Sequence, residues 1–200
     1  VSDKSHAAAT SRDTERGATL VEVSITLPLV LVLLIGIVEF SFLFKDWLTV
    51  GHSAREGARV AATLADDRFS NIAVLDQVAG TLGTVGINDT GVQVRIYDAI
   101  AGTSDTYTYA PGTTYCYAAG DCCEWTPCPD PRYTIAQGYT SNHYTVPTWA
   151  PSSRDISAPL TDRVGVEVQY SHNWITNLIQ TNTWDLTIAV DYQIEPQVFE

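Results

Sequence analysis

Sixteen consecutive residues from Val23 to Val38, VSITLPLVLVLLIGIV, carry no charge, and this run limits what the chain can fold into more than any other feature. Taken from Leu20 to Phe44 the segment is twenty-five residues long, interrupted only by Glu22 and Glu39. At ~1.5 Å per residue it would extend ~37 Å as a helix, enough to cross a ~30 Å hydrocarbon core with some tilt. The core helix of a soluble protein is seldom so long and so apolar on every face, so the run predicts a membrane span. A secretory signal fits less well, because its apolar core is about 7–15 residues and ends at a small-residue cleavage site. No such site follows this run. Pro28 removes one helix hydrogen bond, a defect that lipid-embedded helices tolerate. Glu39 falls toward the far end of the span, where snorkelling to the interface is the expected behaviour.

Helical character continues past Lys45. In DWLTVGHSAREGARVAATLADD, Val50, Ala54, Ala58, Ala61 and Ala65 recur at three- and four-residue steps, with Gly51 and Gly57 beside them. A stripe of small residues lets another backbone approach closely. Ala54, Gly57, Ala58 and Ala61 are therefore the expected packing positions, against this chain's own domain or against a partner. A helix from Leu20 to about Ala65 would be ~70 Å long.

The rest reads as a small α+β head. Residues 71–82, NIAVLDQVAGTL, place Ile72, Leu75, Val78, Ala79 and Leu82 on one helical face, with Ser70 as the expected N-cap. VQVRIYD (92–98), VGVEVQYSH (164–172) and WDLTIAVDYQI (184–194) alternate apolar and polar residues, the pattern of half-exposed antiparallel strands. DTYTYA (105–110) is placed to pair with 92–98 through an Ala101–Gly102 turn. NWITNLIQTN (173–182) links the last two strands, with one helical turn expected. Between Asp98 and Pro159 apolar periodicity fades, which predicts a long insertion held by local cross-links.

Composition excludes several functions. Of the formal net charge of −12, −11 lies between Asp66 and Glu200, where sixteen Asp and Glu face five Arg. No basic stripe is present to neutralise phosphates, so nucleic-acid binding is not expected. His52, His143 and His172 are scattered, and no nucleophile elbow, phosphate-binding loop, dinucleotide fingerprint or zinc-protease motif occurs, so neither an enzyme nor a cofactor is expected. Cys116, Cys122, Cys123 and Cys128 suggest two disulfides with three possible connectivities. A four-thiolate zinc site is the rival, but the spacing lacks paired C-x2-C knuckles. Disulfides in turn favour an exported head. The aromatic residues of 107–149 build the insertion's own small core or form a binding surface.

RGATLVEVSITLPLVLVLLIGIVEF followed by AREGARVAA resembles the TadE-like family, minor pilin-like proteins of tight-adherence (Flp-type) pilus systems. The closing strands, VGVEVQY and LTIAVDYQIEP, are similar to that family's C-terminal end. The resemblance covers roughly 15–97 and 163–196 and leaves 98–162 unplaced. It implies cutting by a prepilin peptidase between Gly17 and Ala18, which makes Glu22 the fifth residue of the mature chain. It also implies a tail inside and a head outside, an orientation that three positive charges on each flank leave undecided. In an assembly the Glu22 carboxylate would meet the Ala18 ammonium of a neighbouring subunit and select register. Without cleavage, Glu22 would pair within its own chain or with Arg16.

The expected organisation is a cytoplasmic leader (1–17), a membrane-spanning helix part (18–44), a projecting part of the same helix (45–66) and an exported head (67–200) with a disulfide-stapled insertion (98–162). The expected function is that of a minor pilin-like structural subunit in the cytoplasmic membrane, possessing no metal site. Its expected partners are the prepilin peptidase, other pilin-like subunits and lipid. The alternative is an uncleaved single-span protein that displays a binding module through its aromatic, Cys-containing insertion. An exported enzyme on a membrane tether is a further rival, opposed by the lack of a catalytic constellation.

Overall fold

The computed structural model describes residues 5–83, 91–109, 125–128, 147–157, 161–176 and 183–195, with side chains from Thr19 onward. Helix α1 runs over Ser5–Leu64 and helix α2 over Ser70–Gly83. Five strands follow: β1 (Gln93–Asp98), β2 (Ser104–Tyr109), β3 (Trp125–Thr126), β4 (Arg163–His172) and β5 (Trp184–Gln193). They form one antiparallel sheet in the order β3-β2-β1-β4-β5. The architecture is α+β, with a long apolar N-terminal helix. The chain divides into two compact units, one of residues Val1–Phe44 with Trp174–Thr181, the other of Lys45–Asn173 with Asn182–Glu200.

In the first unit, α1 begins at Ser5 rather than near Leu20, so the helix includes the Gly17–Ala18 bond. Pro28 lies inside it without ending it. Near this defect the Thr26 hydroxyl bonds the Glu22 carbonyl at 2.9 Å and the Ser24 hydroxyl bonds the Leu20 carbonyl, so side chains supply extra donors to the backbone.

In the second unit, the small-residue stripe is the helix's contribution to the core. Val50, Ala54, Ala58, Ala61 and Ala65 are all fully buried. The absence of a side chain at Gly57 is required here. A Cβ would lie 2.8 Å from Val78 Cγ2 and 3.4 Å from Val166 Cγ1, so α1 touches α2 and β4 at this point. The stripe therefore faces this chain's own sheet and second helix. Alternation in β1 and β4 puts Val94, Ile96, Val164, Val166 and Val168 into the same core. The opposite face of the sheet is polar, and Arg95 on β1 pairs at 2.7 Å with its register partner Glu167 on β4. Burial, then the nearby Asp191 carboxylate, pushes the Tyr97 hydroxyl's pKa up on that face.

Two expectations about the head are corrected. Ser70 is not an N-cap; it is the first residue of α2, and its hydroxyl accepts a 2.9 Å bond from Arg154 Nη1. Of the residues 173–182 expected to include a helical turn, 173–176 are not helical, and 177–182 lie outside the described residues. The insertion is not held by cross-links alone. Its β3 adds to the sheet edge, and Arg154 sends Nη1 to the Ala65 carbonyl (3.0 Å) and Nη2 to Asn71 Oδ1 (2.5 Å). Ala65 ends α1 in a left-handed conformation, φ 42°, and its carbonyl is one of the groups a helix end leaves without an intrahelical donor. Burial lowers the Arg154 pKa to about 10, opposed by Tyr107, Asp105 and Asp162, so the cation persists at neutral pH. Its plane also lies over the Trp149 ring, 4.7 Å from the centroid.

Two glycines separate packing from helix propensity. Gly57→Leu should lower the unfolding temperature, because overpacking costs about 1–3 kcal/mol against a helix-propensity gain of about 1 kcal/mol. Gly80, on the exposed side of α2, has open space on all sides: a methyl group added there would meet nothing within 4 Å. Gly80→Ala should therefore raise stability by about 0.5–1 kcal/mol. Thermal unfolding of the detergent-solubilised chain checks both signs.

Candidate functional site

The first unit presents an apolar helix surface. From Leu20 to Phe44 nearly every large side chain is exposed, including Leu29, Val32, Leu33, Ile37, Phe40 and Phe44. Helix α1 is long and apolar enough over Thr19–Leu64 to cross a membrane. Leu33, Gly36, Ile37, Phe40, Ser41 and Phe44 line a shallow apolar groove along it.

One residue breaks this surface. Glu39, toward the far end of the exposed apolar stretch, is 1% exposed. Its Oε1 accepts from the Thr176 backbone N–H (2.6 Å) and hydroxyl (2.6 Å), and its Oε2 accepts from the Ile175 N–H (3.1 Å). The donors come from the start of the β4–β5 connection, where Ile175 and Thr176 lie outside the strands. Next to Glu39 in sequence, Phe40 packs edge-on with Trp174, ring centroids 6.1 Å apart. The snorkelling expected for Glu39 is corrected: the carboxylate turns to the chain's own backbone. A charge in an apolar setting is tolerable when several donors meet it, and here Ile175 and Thr176 supply them.

The other predicted positions separate in space. Gly17 and Ala18 lie within the backbone of α1, and Glu22 is on its exposed surface. Ala54, Gly57, Ala58 and Ala61 are inside the second unit's core. Cys128 is buried and disulfide-bonded. Cys116, Cys122 and Cys123, and most of the aromatic insertion, lie outside the described residues. In the second unit, His172 Nδ1 is 2.7 Å from Asp46 Oδ2, a buried pair between β4 and α1. Sequence reasoning missed both this pair and the Glu39 site. The partners are 126 and 137 residues apart, so no local spacing announces them.

Replacing Glu39 by Leu removes the acceptor from two backbone amides, at a cost of about 1–3 kcal/mol. Protease nicking between Asn173 and Thr176 in detergent should then accelerate by about tenfold or more. Glu39→Gln, which keeps one acceptor oxygen, should fall between the two.

Residues 17–59 match the family model described as TadE-like protein. Neither a curated protein nor a solved structure matches the chain. The matched segment starts at Gly17, contains the whole apolar run with Glu22 and Glu39, and ends within the buried stripe. The similarity to the TadE-like family is therefore to residues 17–59, the N-terminal part of the chain that also resembles it by sequence.

Proposed function

We propose that the chain is a minor pilin-like structural subunit, anchored in the cytoplasmic membrane by α1, that takes part in assembling a tight-adherence pilus or a related secretion system. The family match carries this reading, because it begins at the residue after which a prepilin peptidase would cut. On this reading the leader is inside and the head outside. The new terminus is Ala18, and its ammonium meets the exposed Glu22 carboxylate of a neighbouring subunit. The role is structural rather than catalytic. The four cysteines form disulfides that staple the insertion in an oxidising compartment, as the bonded state of Cys128 supports. The pilus machinery, other pilin-like subunits and lipid are the partners.

One observation favours the alternative of an uncleaved, single-span display protein. The Gly17–Ala18 bond is inside α1, and a peptidase needs the backbone locally unwound. Gly17 eases this, since glycine in a helix interior costs roughly 0.5–1 kcal/mol relative to alanine.

Intact mass of the membrane-extracted protein separates the two readings. The pilin reading predicts a species beginning at Ala18, and retention of residues 1–17 supports the display protein. Glu22→Ala should insert in the membrane normally yet impair assembly. Normal assembly of that variant would remove the role given to Glu22.

A further inference from the structure

We infer that the start of the β4–β5 connection, Trp174 to Thr176, is a lipid-contacting element that sits in the head-side leaflet beside α1. The inference rests on the reading of α1 as a membrane span. It adds a second, non-helical segment of the chain to the bilayer.

Position along the helix sets the depth. Val32 is the midpoint of Leu20–Phe44, and Glu39 is seven residues beyond it, or ~10 Å along the axis. The hydrocarbon half-thickness is ~15 Å. Glu39 therefore lies inside the apolar layer, and Ile175 and Thr176 are hydrogen-bonded to it there. Whatever is bound at Glu39 shares its depth.

The chemistry of the connection fits that depth. Irregular backbone within hydrocarbon is tolerated only where its polar groups are met by protein. The amides of Ile175 and Thr176 and the Thr176 hydroxyl all donate to the Glu39 carboxylate. An apolar side chain faces outward: Ile175 is 61% exposed, and Phe40 on the adjoining helix surface is 56% exposed, while the exposed Thr176 has its hydroxyl bonded to Glu39. Composition agrees. The twelve residues from Asn173 to Trp184 contain no Asp, Glu, Lys or Arg, in a chain of net charge −12, and they include Trp174, Ile175, Leu178 and Ile179. An aqueous hairpin tip in so acidic a domain has no need of such a sequence, whereas a leaflet excludes charge and accepts Trp at its boundary.

The test uses the full chain in vesicles of phosphatidylethanolamine and phosphatidylglycerol. A benzophenone-bearing amino acid replaces Ile175, Leu33 or Ile100, one at a time, and light-induced adducts are identified by mass. Leu33 is an exposed residue of the apolar run. Ile100 is exposed at the β1–β2 turn, at the end of the sheet opposite the β4–β5 connection. Lipid adducts are expected at 33 and 175, with yields at 175 about tenfold or more above those at 100. Adducts at 33 with none at 175 overturn the inference and leave the membrane span standing. Protein–protein adducts at 175 in place of lipid adducts also overturn it, in favour of a second copy as the occupant. Absence of lipid adducts at both 33 and 175 overturns the membrane reading itself, and this inference with it.

Discussion

An acidic side chain in an apolar helix must be met by donors, and in this chain that requirement is satisfied at Glu39. The carboxylate is almost completely shielded, and it accepts bonds from two adjacent residues of the β4–β5 connection, Ile175 and Thr176. The dependence is mutual. The connection leaves the sheet after His172 with amides that no strand pairs, and the helix supplies the acceptor they lack. Phe40 and Trp174 add an aromatic contact next to the bonds. Neither partner is satisfied alone: a buried acid needs donors, and buried amides need an acceptor.

The same helix meets a different constraint further along. In the second unit it lies on a sheet, and close approach needs small residues. Ala54, Ala58 and Ala61 provide the smooth face, while Gly57 accommodates Val78 and Val166. The last turn is secured from outside the helix. Arg154 reaches the Ala65 carbonyl, Ser70 and Asn71 together, joining the end of α1, the start of α2 and the insertion at one buried cation. A buried charge of this kind costs desolvation, and its several hydrogen bonds and nearby carboxylates offset that cost.

The features legible in the sequence were those with a local period. The uncharged run announced an apolar helix by its length alone. Strict alternation in 92–98, 164–172 and 184–194 announced three strands, and Ala101–Gly102 announced the hairpin that joins β1 to β2. The four-residue recurrence of alanine marked a close-packed face but not its partner, because the same stripe suits a neighbouring subunit and the chain's own sheet. Glu39, Asp46 and Arg154 were misread or passed over for one physical reason. Each is defined by a contact across 83 to 137 residues of sequence, and a lone charge carries no sign of what will meet it. The start of α1 at Ser5 was also missed, since the polar leader has no apolar period to mark it. Of the candidate site, the Gly17–Glu22 segment came from family resemblance and the Glu39 site from structure.

Together these features describe a helix with two environments. Its first part is apolar and exposed except at Glu39, and its second part is a core element of the head. The first part depends on Glu39 being held by the chain's own β4–β5 connection rather than reaching for the interface. A solid-state NMR distance between Glu39 13Cδ and Thr176 15N, measured in lipid bilayers, tests this directly. Hydrogen bonding of the kind described predicts a separation of about 3.5–4 Å. Loss of the dipolar coupling, corresponding to more than about 6 Å, would contradict the claim and return Glu39 to the membrane surface.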